Sequence, residues 1–414
     1  MFKPDLRSRT LIVLSLIGVA FLLLGLKAMN KTPADAAVVA ADPQVQKIAA
    51  ANTSFGFGML GQLSQHAPGK NVFFSPFSVT DALTLVLNGA GGATGQSIAS
   101  TLGLSSLTND EINHANGLLL PSLENPDPKV ELSIANALWA NTGTTFVPSF
   151  QETCHEFYGA SAQTLSFASP SAADTINSWV KEQTHGKIDN LVTPRAISAS
   201  TAVLTNAVYF HGQWSRAFPK SATHDAPFML ASGSAKTVPL MCQEDSFAYL
   251  ETPQFQAVSL PYGAGRMSLY VFLPKPGTSI SGLVAGMNAA SWSGWMGQMK
   301  PTQMTLFLPK FQASYQATLN QPLIALGMGP AFSGGADFAP MGLHGSFISA
   351  VIHKATLDVD EEGTVAAAST AVITSRAARP MPTTVMRVDH PFFCAIRDNA
   401  TGTLLFAGVI EDLQ

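Results

Sequence analysis

The chain has 414 residues, of which 46% are hydrophobic and only 12% charged, with a net charge of -4. That length and composition can bury a large core, and the sparse Lys and Arg, unclustered beyond the N-terminus, exclude a nucleic-acid surface. Cys154, Cys242 and Cys394 lie far apart with no C-x-x-C pair, so neither a disulfide framework nor a zinc site is suggested, and buried free thiols are the expectation over any pairing.

At the N-terminus Lys3, Arg7 and Arg9 precede the apolar run Leu11 to Leu26, the layout of a secretory signal. The run is 16 residues long, between a signal core and a full membrane span. Cleavage at Ala34-Asp35-Ala36 or Val38-Val39-Ala40 and retention as an anchor both stay open, and either exports the body of the protein. Residues 1–40 thus read as signal or anchor plus tether, the tether being 27–42, and residues 41–414 as one domain, since no linker or repeat divides them.

Along that domain, "NVFFSPFSVTDALTLVLNGAGG" predicts a short strand, a turn at Ser75-Pro76, and a helix capped by Ser78 and ended before Gly89. "DTINSWVKEQTHGKIDNL" predicts a helix with Ile176, Trp179, Val180 and Gln183 on one face and Gly186 past its end. "TAVLTNAVYFHGQW" is apolar and β-branched throughout, as in a strand buried on both faces. "MSLYVFLPKPG", "MTLFLPKF", "HPFFCAIRD" and "TGTLLFAGVI" predict further strands. Helices lead the first half and strands the second, an α+β pattern.

Enzyme motifs are weak. Ser178 and Lys181 form an S-x-x-K without its S-D-N and K-T-G companions, in the middle of a helix, and "GAGGATG" lacks the P-loop lysine. There is no G-x-S-x-G or H-E-x-x-H, and Cys394 with His390 reads as a packed thiol rather than a nucleophile with its base. The chain is therefore not expected to be an enzyme; a hydrolase rests on Ser178 and Lys181 alone.

From residue 45 to 414 the chain resembles the serpins, serine protease inhibitors that act as conformational traps. "NVFFSPFSVTDALTLVLNGAGGATGQSI", "INSWVKEQTHGKIDNLV", "VLTNAVYFHGQW" followed by Thr223 and Phe228, "LPKF", "DFAPM", "VIHKATLDVDEEGTVAAAS" and "HPFFCAIRDNATGTLLFAGVI" are similar to family blocks, in order. The resemblance implies a serpin fold with three β-sheets, eight or nine helices and an exposed reactive-centre loop at about 361–382. It also implies suicide-substrate inhibition of serine, or cysteine, endopeptidases: a protease cuts the loop, and the acylated loop inserts into the central sheet.

On that reading "EEGTVAAASTAVITSRAARP" is the loop. Glu361 and Glu362 anchor its base at the surface, Gly363 is a pivot, and Thr364 moves from solvent into the sheet. Val365, Ala366, Ala367, Ala368 and Ser369 complete a hinge with little bulk and no charge. Thr364, Ala366, Ala368, Thr370, Val372 and Thr374 share one face of an inserted strand. Family spacing from Glu361 sets the reactive bond at Ala377-Ala378, suiting elastase- or subtilisin-like enzymes; the alternative, Arg376-Ala377, suits trypsin-like ones. By resemblance Ser75, Ser78, Asn206 and His353 form a polar "shutter" beneath the sheet, with Trp214 where the loop enters, while Tyr209 and Phe228 look like packing.

The uncharged hinge speaks against the other reading, a non-inhibitory carrier, chaperone or storage serpin. Cofactors and metals are not implied, and the partner is a target protease. The expected protein is a monomer, secreted or periplasmic, touching membrane only through an N-terminal anchor.

Overall fold

The computed structural model describes residues 36–124, 126–364 and 384–413. The signal or anchor run, hinge residues Val365 to Ser369, and both candidate bonds (Arg376, Ala377, Ala378) lie outside the described residues. No helix among the described residues is long and apolar enough to cross a membrane.

The described residues form fifteen strands: β1 Val72–Phe74, β2 Val130–Asn141, β3 Ser161–Leu165, β4 Ala202–Gln213, β5 His224–Met229, β6 Ala235–Glu251, β7 Phe255–Pro261, β8 Met267–Pro274, β9 Lys300–Pro309, β10 Phe311–Thr318, β11 Ile348–Val359, β12 Gly363–Thr364, β13 Thr384–Arg387, β14 Phe392–Asp398 and β15 Leu404–Ile410. The central sheet runs β10-β11-β4-β2-β3, with β12 added to the end of β4. The remaining nine strands are hydrogen-bonded into one system. The second and third sheets of the expected three are joined there because β6 is long: it pairs with β5 over one stretch, with β9 over the next and with β7 at its end. Of the α-helices among the described residues, two are single turns, Pro194–Ile197 and Asn320–Leu323; the other nine match the expected number.

Three local expectations are corrected. Residues 36–41 are not tether: Ala36–Ala41 is helical and buries Val39, and Asp42 then caps the long helix Pro43–His66 by accepting from the Gln44 and Val45 amides. The cap of helix Pro76–Leu87 is Ser75 rather than Ser78, because Pro76 takes the first helical position and Ser75 Oγ accepts from the Ser78 amide at 3.1 Å. On helix Ala172–Gln183 the inward face is Ala172, Ala173, Ile176 and Val180, whereas Gln183 is exposed.

β4 is apolar on both faces because it lies between two cores. Leu204, Val208 and Phe210 face the main core, to which helix Pro76–Leu87, buried along its whole length, contributes Phe77, Val79, Leu83 and Val86 among others. Val203, Ala207 and Tyr209 face a smaller core under helix Ala172–Gln183. After that helix the chain crosses the sheet, packing Ile188 and Leu191 against it and making a polar or cation–π contact to each of four strands. His185 Nε2 lies 3.6 Å from Glu131 Oε1 on β2, and Lys187 Nζ lies 5.5 Å from the Tyr209 ring on β4. Asp189 O accepts from Lys354 Nζ on β11 at 2.7 Å, and Leu191 O accepts from Gln316 Nε2 on β10 at 2.9 Å.

Candidate functional site

The seam between β4 and β11 organises the site. These two neighbours are parallel, paired from Ile348 against Ala202 to Thr356 against Tyr209. At its upper end the chain turns back, and Gly363 and Thr364 pair antiparallel with Gln213 and Gly212.

Around this turn the expected hinge residues are held firmly. Asp360 N donates to Gly363 O at 2.8 Å, and Asp360 Oδ1 accepts from the Glu362 and Gly363 amides at 2.8 and 3.2 Å. Trp214 donates through its backbone N to Glu362 O and through Nε1 to Asp360 O, both at 2.9 Å, while its ring stacks on Tyr262 at 4.4 Å. Gly363 has φ +143°, and a Cβ there would stand 2.1 Å from Gly212 O, so only glycine allows this approach.

Two expectations about the hinge are overturned. Glu361 and Glu362 are not surface anchors but are 6% and 8% exposed. Glu361 accepts from Lys310 Nζ and Thr223 Oγ1, both at 2.8 Å, and Glu362 pairs with Lys220 Nζ at 2.5 Å. Burial pushes the Glu361 carboxyl up, but the hydrogen bonds from Lys310, its own backbone and Thr223 outweigh it and hold it below the usual range. Thr364, expected in solvent, is fully buried with Oγ1 3.1 Å from Tyr262 OH. Burying its methyl and pairing its backbone are favourable together, so Gly363 and Thr364 already belong to the central sheet in the uncut protein.

Lower on the seam the structure brings Ser75, Ser78, Asn206 and His353 together in one buried network. His353 Nδ1 meets Asn206 Oδ1 at 2.5 Å, and its Nε2 accepts from the Ser75 amide at 3.3 Å, which fixes a neutral ring with the proton on Nδ1. Burial lowers the His353 pKa to about 3. Asn206 Nδ2 donates to Ser78 O and Ser78 Oγ at 2.9 and 2.5 Å and also to Asn136 Oδ1. Asn136 Nδ2 donates to Asp81 Oδ2 at 2.8 Å, and Ser75 Oγ donates to Leu405 O at 2.6 Å.

Other candidates separate. Ser178 and Lys181 are exposed on helix Ala172–Gln183. His390 precedes β14 and bonds Asp389 and Pro274 O, while Cys394 is wholly buried and its thiol is pushed far up by burial. The three cysteines are unpaired.

A sequence model described as Serpin (serine protease inhibitor) matches residues 50–413. The chain is a serpin. It is 34% identical to the leukocyte elastase inhibitor of Bos taurus over 379 residues, 88% of this chain and 99% of that one. Among solved structures, human thyroxine-binding globulin complexed with thyroxine superposes with TM-score 0.83 and 29% identity, covering 90% of this serpin and all of the other. The native state of the thermophilic serpin tengpin superposes with TM-score 0.82 and 27% identity over 90% of this chain and 95% of that one.

Sequence reasoning missed Asp81 as a network member, and Asn136, Asp360, Lys220, Lys310 and Tyr262 altogether. Asn136 was findable as the lone amide in the apolar run "IANALWA". Lys310 and Tyr262 reach the site only through tertiary folding.

Proposed function

We propose that this serpin inhibits serine endopeptidases by being cut between residues 374 and 379 and inserting the preceding segment between β4 and β11. The observation that carries this reading is the parallel β4–β11 seam with an antiparallel Gly363–Thr364 pair set at its end. Continued at the same register, the pairing would set Val365 against His211, Thr370 against Asn206 and Thr374 against Ala202, the whole length of β4. A strand added there is antiparallel to both neighbours, so one parallel ladder gives way to two antiparallel ones, which are slightly stronger per residue.

The register also supports the choice of residues. Thr364 faces the main core, so Ala366, Ala368, Thr370 and Val372 would follow it there, opposite Phe210, Val208, Asn206 and Leu204. Each is small or β-branched and uncharged. Insertion parts Asn206 from His353, and the Thr370 hydroxyl then stands between them as a new partner for both.

In the reaction the protease serine attacks the carbonyl of Ala377 (or of Arg376) and the amine of the next residue leaves. The acyl-enzyme is carried off with the inserting strand before water can reach the ester. The kinship with an elastase inhibitor and the small Ala377 both support an elastase- or subtilisin-like target, and Arg376 supports a trypsin-like one. The basic-then-apolar N-terminus supports action outside the cytoplasm, as a secreted, periplasmic or anchored protein.

The test is incubation with elastase-, subtilisin- and trypsin-like proteases, scored for an SDS-stable complex and for the mass of the released C-terminal peptide. A complex with a peptide beginning at Ala378 or Ala377 is expected. Complete cleavage without a complex for every protease refutes inhibition.

A further inference from the structure

Asp81 is a buried carboxyl one turn beyond the shutter serines, and its connections have a direction. The Ser75 amide donates to His353 Nε2, His353 Nδ1 to Asn206 Oδ1, Asn206 Nδ2 to Asn136 Oδ1, and Asn136 Nδ2 to Asp81 Oδ2. Every donor points the same way, and Asp81 is the terminal acceptor. The Asn206–His353 link in this chain is the one that crosses the β4–β11 seam. Asp81 Oδ1 is buried with no hydrogen-bond partner, and no lysine or arginine pairs with Asp81 among the described residues.

We infer that Asp81 makes opening of the β4–β11 seam proton-dependent: its ionisation tightens the Asn206–His353 bond, and its protonation slackens it. A carboxylate accepts a hydrogen bond about twice as strongly as a neutral group. That polarisation passes along a chain of hydrogen bonds at roughly 10–30% per bond. A protonated Asp81 has the opposite effect, being a weaker acceptor and carrying an O–H with no acceptor of its own.

The change falls in an accessible range. Burial raises Asp81 to about 8, against the hydrogen bond from Asn136, and the charge of Glu124 adds to the rise. Glu124, the last residue of helix Asn109–Glu124, is itself raised to about 7 by burial. The other titratable groups facing Asp81 are Tyr158, whose hydroxyl is pushed well up by burial and in part by Asp81, and His353, neutral throughout. On helix Pro76–Leu87, β2 and β4 its neighbours Ser78, Asn136 and Asn206 carry no charge.

The use of such a latch rests on the insertion reading above, but its test does not. Hydrogen exchange of the full uncut chain, corrected for intrinsic rates, is followed at pH 6.5, 7.5, 8.5 and 9. The seam amides of β4 and β11 are compared with those of β14 and β15. Seam opening should fall by up to about twofold, with a midpoint near pH 8. The reference strands should loosen instead, because a buried carboxyl with a raised pKa lowers global stability as it ionises. In D81N the seam should keep its pH 6.5 opening at every pH. E124Q, which leaves the chain intact, should move the midpoint to lower pH by removing a nearby negative charge. A seam opening constant unchanged from pH 6.5 to 9, or a D81N or E124Q profile that follows wild type, overturns the inference. A pH-dependent seam in a protein that traps no protease would instead overturn the proposed function and leave the latch standing.

Discussion

Glu361→Lys tests how firmly the base of the loop is held. Glu361 is almost wholly buried and accepts from Lys310 and Thr223 at 2.8 Å, and its charge adds to that of Glu362, the main cause, in raising the Lys220 amine. The substitution removes both hydrogen bonds and sets a third cation beside two lysines. Breaking a buried ion pair by removing one partner costs about 3–5 kcal/mol. Lys310 is 37% exposed, so water relieves part of that and about 2–3 kcal/mol remains. In a chain of this size that lowers the melting temperature by roughly 5 °C, and the freed edge of β4 becomes open to strands from other molecules.

Circular-dichroism melts at one fixed scan rate on E361K, E361Q and the reversal E361K/K310E separate the contributions. E361Q keeps acceptor geometry towards Thr223 and should lose about 1 kcal/mol; the reversal should recover part of the E361K loss. The pH dependence has a definite sign. Glu361 is depressed when folded, so its stabilisation is complete above its ordinary pKa of 4.5 and is lost as pH falls through its lower folded value. E361Q should therefore lack that acid limb. An E361K melt within about 1 °C of wild type, or a reversal that recovers nothing, would show that the ion pair does not hold the hinge.

Thr364→Arg puts an unpaired charge into a fully buried position, at a cost of several kcal/mol. It should loosen the uncut protein as well as abolish trapping while cleavage continues; an unchanged melt together with normal stoichiometry of inhibition would refute this. Ala377→Arg should shift inhibition towards trypsin-like enzymes if Ala377 is the residue read by the protease, and Arg376→Ala should abolish trypsin-like inhibition if Arg376 is, as inhibition rates against both enzymes will show. A clean cut between Thr374 and Arg379 should raise the melting temperature sharply, because the loop then completes two ladders; an unchanged melt counts against insertion.

The apolar run of β4 and the Ser75-Pro76 turn were legible because strand burial and helix starts are local properties of sequence. The burial of Glu361, Glu362 and Thr364 was not. Two acids and a threonine before a small-residue run read as solvated, and Lys310, Tyr262 and the pair Lys220 and Thr223, brought from three other places in the chain, reverse that. The helix at Ala36–Ala41 was hidden in the same way: an alanine-rich segment has no periodicity of its own, and Val39 becomes core only against helices that follow. The set Ser75, Ser78, Asn206 and His353 came from family resemblance. Its extension to Asn136 and Asp81 depends on the register of β2 with β4 and on the Asp81 side chain of helix Pro76–Leu87 meeting β2.

The segment that steps from His185 to Leu191 across four strands works as a gauge of sheet width. A strand inserted between β4 and β11 would move Tyr209 and Lys354 apart by one interstrand spacing, about 4.8 Å. Lys187 and Asp189, two residues apart, grip opposite sides of that gap and cannot both hold on when it widens. Small thermal separations of the seam are thus opposed from outside the sheet. If a strand inserts there, as proposed, this segment should be strained, and increased protease access around residues 184–192 after loop cleavage would be its outward sign.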